Sequence, residues 1–503
     1  MQPSDISKQA NPLDYGISAE ELKATGEPGV RIIHKLCNRI WDTGEIPQDW
    51  GRAVIVPIYK KKDKLDCSNY RGISLLSLAG KVFCSILHKR MQTQTEDILA
   101  ESQAGFRPGR STIDQLFTLR QLAEKYSEKR KPLYCCYIDY QKAFDTVWQE
   151  GLWQAMRHLG YSSKTVDLLR ALYGTSQSTV RVNGELTPWF TTMTGVRQGC
   201  ILSPQLFNIL LELVLRLAIQ DEQIGAKVQG QYINNLRFAD DIVLLAETKE
   251  DLQFLVTRVN TFSKKFGLTI NISKTEVQVI NREKVQLDIL IDGKPLKQVE
   301  DFIYLGGVIS ETPSNENDIK RRIGLAMGSM QKLNPIWKSK DIKNSTKLEL
   351  YRVLVLSIIT YSAETWTLKK SDEQRLRVFE MACLRKILGV TRRDRIRNTN
   401  IRERLRYHKE LTATIMTKKL KYFGHVKRMS NSRYPKILLE GHIEGNRPRG
   451  RPEKKWLEDI KHFCTETGIP SVAAAGHLAT NRQLWRLKLV GKPSPGPTPG
   501  GRL

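Results

Sequence analysis

Three aspartates stand where chemistry would need them. Asp240 and Asp241 are adjacent in Tyr232-Ile-Asn-Asn-Leu-Arg-Phe238-Ala239-Asp240-Asp241-Ile-Val-Leu-Leu-Ala246, between two short apolar runs of β-strand type. The pair lacks the glycine that tight hairpin turns usually take, so it predicts a strand–turn–strand tip carrying two negative charges side by side. Like charges that close are unfavourable unless a cation lies between them. Upstream, Leu133 to Ile138 is a continuous apolar run, long enough for one buried strand, and it ends at Asp139. Taken singly, an acidic pair at an exposed turn or an aspartate at a strand end is commonplace. Laid side by side, they gather three carboxylates at one sheet edge. That is a site suited to Mg²⁺, and to Mn²⁺ as a substitute, with positions left over for substrate phosphates. Two such ions can activate an attacking hydroxyl and stabilise a leaving pyrophosphate.

The elements that must position these acids are legible in order. Val30 to Trp41 has the apolar spacing of an amphipathic helix. Arg52 to Tyr59 reads as a strand, with Pro57 placing it near a sheet edge, and runs into the basic loop Lys60-Lys-Lys-Asp-Lys64. Asn69-Tyr70-Arg71-Gly72 follows, and then a helix from about Leu78 to Gln92. Ser102 to Thr112 is a loop bearing glycine, Arg107 and Arg110, residues that suit gripping a phosphate backbone without reading bases. Ser111 or Thr112 caps a helix that continues to about Glu128. Gly195-Val-Arg-Gln198-Gly199-Cys-Ile-Leu-Ser203-Pro204 is a loop whose glycines permit close backbone approach. Ser203 followed by Pro204 is a cap-then-proline start for the next helix.

The order Asp139-x-x-x-Ala143-Phe144-Asp145, then Gly195 to Pro204, then Phe238-Ala-Asp-Asp241 resembles the reverse transcriptases of non-LTR (LINE-type) retrotransposons. The resemblance is close from Arg52 to Ser310 and looser beyond, as in an element truncated before its polymerase domain. It implies an α+β right-hand polymerase, with fingers and an antiparallel palm sheet followed by a helical thumb. It further implies RNA-directed DNA synthesis from deoxynucleoside triphosphates on an RNA template and a DNA primer. On that resemblance Asp139, Asp240 and Asp241 bind metal and Lys274 protonates the departing pyrophosphate. Arg71 contacts the nucleotide phosphates, Phe144 lies under the sugar and excludes a 2′-hydroxyl, and Gln198 and Gly199 lie beside the nascent base pair. Tyr304 to Ser310 resembles the strand-turn that holds the primer end. The same motifs would also persist in a catalytically idle nucleic-acid-binding remnant of a mobile element.

Composition agrees with a polyanionic partner. The chain has 503 residues and a formal net charge of +27, an excess that favours nucleic acid over membrane. Its eight cysteines show no metal-ligand spacing, which points to a reduced, intracellular setting, nuclear or cytoplasmic. No apolar stretch is long enough to span a bilayer. The expected organisation is an N-terminal helical extension over 1–50, fingers and palm over 51–310, a thumb-like helical region over 311–444, and a basic tail over 445–503. That tail, with Lys60, Arg107 and Arg110, supplies the expected nucleic-acid contacts through Arg449 and Arg451, and its last residues are expected to be disordered. About fifty residues precede the first fingers strand, fewer than a typical domain. The expectation is therefore a chain that extends a supplied primer without nicking duplex DNA itself.

Overall fold

The computed structural model describes residues 18–61, 63–220, 222–446 and 453–490. After helix α1 (Gly26–Thr43) come strands β1 (Arg52–Tyr59) and β2 (Tyr70–Leu76), then helices α2 (Leu78–Ile98) and α3 (Thr112–Glu128). β1 pairs antiparallel with β2 and parallel with β4 (Gln177–Val182), forming the fingers sheet. β1 is therefore not an edge strand along its whole length. Its pairing with β4 stops at Ile55, two residues before Pro57, so the missing N–H falls where nothing needs it.

The palm sheet has β3 (Leu133–Ile138) at its centre. β6 (Asp241–Ala246) and β7 (Glu276–Ile280) lie antiparallel on either side of it, with β5 (Asn235–Phe238) beyond β6 and the short Lys297–Gln298 strand beyond β7. The continuous apolar composition of β3 follows from burial on both faces, because successive side chains alternate. Cys136 and Ile138 enter one core and Leu133, Cys135 and Tyr137 the other; Ile242 and Leu244 of β6 divide likewise from Val243 and Leu245. Helices α4 (Ser203–Ile219) and α5 (Lys249–Lys265) cover the first face. α4 begins one residue earlier than the sequence suggests. Ser203 lies inside it, its hydroxyl donating to the Arg197 carbonyl at 2.7 Å, while Pro204 occupies the first turn.

Beyond the strand pair Asp301–Tyr304 and Gly307–Ser310 the chain is helical. α6 (Glu316–Lys332), the helical stretch from Asn344 to Ile359 and α7 (Lys370–Leu388) share a core around Trp337, Tyr351 and Trp366. Residues 456–490, expected as part of a basic tail, instead fold into three helices, α11 (Trp456–Glu466), α12 (Val472–Thr480) and α13 (Arg482–Val490), which follow α8 (Asn398–Leu405), α9 (Leu411–Lys427) and α10 (Tyr434–Glu440). Their apolar residues, Trp456, Phe463 and Trp485 among them, are buried with Phe423 of α9 and Phe117 of α3. Charge counting concealed that apolar periodicity. Arg449, Arg451 and the Pro/Gly-rich end lie outside the described residues. Fingers, palm and helical thumb thus follow one another as an α+β right hand.

Candidate active site

The register of the palm sheet sets the carboxylates. Ile138 faces Ile242, which carries the next residue outward on each strand, Asp139 and Asp241, to neighbouring positions. Asp241 pairs with Phe238, so Ala239 and Asp240 alone make the turn. Ala239 has φ of +57°, a left-handed conformation that costs a residue with a Cβ roughly 1–2 kcal/mol. The turn closes without glycine because the Ser102–Gly105 segment lies against it. Buried Gln103 accepts the Ala239 N–H at 2.9 Å and the Gly105 N–H at 2.8 Å. Any Cβ on Gly105 would run into Ala239 N. Ala104 N–H donates to the Arg237 carbonyl and Arg237 N–H to the Ser102 carbonyl, extending the sheet by one bridge. Underneath, buried Arg237 meets buried Glu212 at 3.0 Å. Burial alone would raise the Glu212 pKa; the Arg237 and Arg216 guanidiniums and the Ala100 N–H outweigh it and hold the carboxyl below its usual range.

The acids at the tip behave oppositely. Partial burial raises the Asp240 pKa, the Asp139 charge adds to this, and Arg71 of β2 pulls the other way. Asp241 is pushed up to about 6 by partial enclosure and then by Asp240 and Asp139. Since Asp241 stays open to water at its tip, the two neighbouring charges matter alongside enclosure. Asp139 has a different partner: Lys274 Nζ lies 3.2 Å from its Oδ2, both side chains being open to solvent. The Asp139 carbonyl accepts the Asn271 N–H at 2.7 Å, which fixes the turn bearing Lys274.

The Gly195–Cys200 loop lies on the segment after Asp139. Gly195 N–H donates to Val147 O and Val196 N–H to Phe144 O, and a Cβ on Gly195 would lie 2.7 Å from Asp145 O. Gln198 donates to Asp145 Oδ1 at 2.9 Å, and its carbonyl accepts the Ser74 N–H from β2. Gly199, at φ +120°, comes so close to Ser74 O that a Cβ would sit 2.6 Å away. Phe144 is half-buried and stacks on Phe207 of α4, with ring centroids 4.9 Å apart. The structure therefore links Arg71, Asp139, Asp240, Asp241 and Lys274 at the end of the palm sheet, and ties Phe144, Gln198 and Gly199 to them through the segment after Asp139 and through β2.

Other sequence candidates fall elsewhere. Arg107 is buried, paired with Glu96 at 3.0 Å and donating to the Ala100 and Gln103 carbonyls. It braces the loop that holds the Ala239–Asp240 turn and offers no free charge. Arg110 pairs with Glu101 at 2.6 Å, and Arg433, ahead of α10, reaches both Glu101 and Asp114. Lys60 remains exposed at the end of β1. Sequence reasoning missed Gln103, Arg237 and Glu212; an uninterrupted β5 with an arginine in its middle was the one available sign of a buried partner.

Three carboxylates with two raised pKa values are the right donors for a hard divalent cation. As they stand, however, no group of three Asp, Glu, His or Cys side chains among the described residues is gathered tightly enough to hold one.

Comparison with known proteins places this geometry. Residues 59–309 match the family "Reverse transcriptase (RNA-dependent DNA polymerase)". The chain is similar to the Retrovirus-related Pol polyprotein from type-2 retrotransposable element R2DM of Drosophila melanogaster, 26% identical over 74% of this chain and 35% of that protein. It is also similar to the RNA-directed DNA polymerase from mobile element jockey of Drosophila funebris, 24% identical over 70% of this chain and 39% of that one. The chain thus spans less than two fifths of the length of these curated relatives. Among solved structures, a telomerase from Candida tropicalis in complex with a telomeric RNA fragment aligns at a TM-score of 0.42 and 14% identity, over 82% of this chain and 68% of that one. No helix of the described residues is long and apolar enough to cross a membrane. With the aspartates on the palm hairpin and the family match running through every motif around them, the chain belongs to the reverse transcriptase family, among those of non-LTR retrotransposons.

Proposed function

We propose that this protein is an RNA-directed DNA polymerase that extends a DNA primer on an RNA template from deoxynucleoside triphosphates. The observation that carries the reading is the convergence of Asp139, Asp240 and Asp241 on one hairpin and strand end, with Asp240 and Asp241 raised by enclosure and then by the crowding of like charges. Such a site is short of positive charge, which a bound divalent cation would supply. Mg²⁺, or Mn²⁺ in its place, would be held by Asp139 with Asp240 and Asp241, and would supply activation of a 3′-hydroxyl and charge stabilisation on a leaving pyrophosphate.

The protein's own residues do the rest. Arg71, exposed on β2 and electrostatically coupled to Asp240, draws the triphosphate over the aspartates. The Gln198–Gly199 backbone, pressed onto β2, presents a flat surface to the nascent base pair. Phe144, braced by Phe207, closes the space a 2′-hydroxyl would need. Lys274 pairs with Asp139 at rest. Its ammonium, presented beside that carboxylate, would be the proton donor to the leaving group. The Leu305–Gly306 turn, held by Tyr361 Oη on Leu305 O at 2.8 Å and by Arg321 and Arg322 on Gly306 O, supports the primer end. The free cysteines and basic surface suit work inside the cell, in nucleus or cytoplasm.

Primer extension on a poly-ribonucleotide template with pure protein and Mg²⁺ tests this reading. Extension that vanishes in Asp139→Asn and Asp240→Asn, with RNA binding kept, is expected. Tight binding without extension by the unsubstituted chain would make it the idle nucleic-acid-binding remnant instead.

A further inference from the structure

The helical half carries a concentrated positive surface that lies beyond the matched polymerase region. From Thr391 to Lys409 there are eight basic residues against two acidic ones. One of those acids, Asp394, is engaged locally: it accepts the Thr391 N–H at 2.6 Å and the Thr391 hydroxyl at 2.9 Å. One of the bases, Arg402, is pinned to buried Glu380 at 2.6 Å. The other seven, Arg392, Arg393, Arg395, Arg397, Arg404, Arg406 and Lys409, are exposed and have no ion-pair partner among the described residues. That contrasts with the palm, where Arg107, Arg110 and Arg237 each meet a carboxylate.

The segment is also rigidly presented. α8 buries Ile401 and Leu405 in the core of the helical region, and Tyr407 just after it packs edge-on to Tyr351. Arg385 of α7 donates to Asn398 Oδ1 at 2.6 Å, tying down the start of α8. Arg395 and Arg406 both adopt left-handed backbone, at φ +52°. A residue with a Cβ is strained there and persists only when the surroundings over-determine it. Both arginines end a helical turn, so the chain changes direction at two fixed points within the basic segment. Seven unpaired cations held this way repel one another, and a polyanion is the partner that removes the repulsion. An irregular solvated loop would need neither the buried anchors nor the strained turns.

We infer that Thr391–Lys409 is a second nucleic-acid docking surface, gripping the phosphate backbone of a duplex through Arg392, Arg393, Arg395, Arg397, Arg404 and Arg406. Guanidiniums suit it because they meet phosphate oxygens two at a time. Contacts to phosphate position the duplex and do not read its sequence. This inference does not depend on the chain being an active polymerase.

The test uses the full chain with Arg392, Arg393, Arg395 and Arg397 all replaced by glutamine, and a companion in which all four become lysine. Fluorescence anisotropy across a KCl series is read with three probes: an RNA–DNA hybrid, a DNA duplex of the same length, and single-stranded RNA. The glutamine variant should lose at least about tenfold in duplex affinity at low salt, and its log K against log[KCl] line should become shallower by about 0.9 for each duplex-DNA phosphate no longer neutralised. The lysine companion should keep most of the slope. Loss confined to the hybrid assigns the surface to the polymerase's own product, and loss confined to the DNA duplex assigns it to target DNA. Unchanged slopes with all probes, or loss with single-stranded RNA only, would overturn the inference. Should the glutamine variant unfold by circular dichroism, Arg404→Gln with Lys409→Gln provides the same reading from the other end of α8. Single-nucleotide addition to saturating primer–template, measured in parallel, separates the two ideas: extension failing in the unsubstituted chain removes the polymerase reading and leaves the docking surface standing.

Discussion

Gln103 Oε1 accepts the backbone N–H of Ala239, 136 positions away in sequence, at 2.9 Å. The two-residue turn that aims Asp240 is thus closed from outside the hairpin. Ala239 cannot relax its left-handed conformation without breaking that bond, and Gly105 shares the same acceptor.

Gln103→Leu should therefore leave two buried N–H groups unpaired, costing on the order of 1–3 kcal/mol for each. It should lower the extension rate more than nucleic-acid affinity, because the aspartates lose their aim and the binding surface does not change. Thermal unfolding with single-turnover extension checks this; an unchanged rate would show that the turn holds itself.

Asp241, raised to about 6 in the folded chain from an ordinary 3.8, binds more protons folded than unfolded between those values. Stability should then fall as pH rises from about 4 to about 6 and stay reduced above that, since ionised Asp241 is partly enclosed and is repelled by Asp240 and Asp139. Asp241→Asn should raise Tm at pH 7.5 and lose that advantage near pH 4, while extension at pH 7.5 drops sharply. Mg²⁺ should raise the Tm of the unsubstituted chain at pH 7.5 more than at pH 5. Scanning calorimetry across pH decides it; a variant no more stable than the original at pH 7.5 contradicts the repulsion.

Phe144 stacks on Phe207 and remains half-buried. Phe144→Val should raise ribonucleotide incorporation relative to deoxynucleotide and also lower stability by on the order of 1–2 kcal/mol through the lost stacking and volume. Unchanged sugar discrimination with lowered stability would return Phe144 to a packing role alone.

Arg107 and Lys60 looked alike in the sequence, and the structure separates them. Arg107→Ala leaves Glu96 without its partner and the Ala100 and Gln103 carbonyls without a donor, a loss of about 3–5 kcal/mol expected for breaking a buried pair. Lys60→Ala should leave stability alone and make the salt dependence of binding shallower by about one phosphate. Urea unfolding and salt titration of both variants test the contrast.

By itself the sequence determined the parts that local pattern encodes. Apolar runs marked β3 and β6, the 3.6-residue period marked α1, and three short motifs in order named the family and pointed to Asp139, Asp240 and Asp241. Those features are legible because a strand or helix must place its side chains at a fixed period whatever surrounds it. Only the tertiary structure decided which charges are free. Arg107 and Arg110 read like surface cations until Glu96 of α2 and Glu101 fold onto them, and Arg237 of β5 meets Glu212 of α4. It also decided that Gln103 closes the Ala239–Asp240 turn, and that Trp456 and Trp485 draw a basic stretch into a buried helical core. A charge or an amide carries no local mark of its partner, since that partner is brought by folding from a distant part of the chain, and burial then sets whether it grips a ligand or the protein itself.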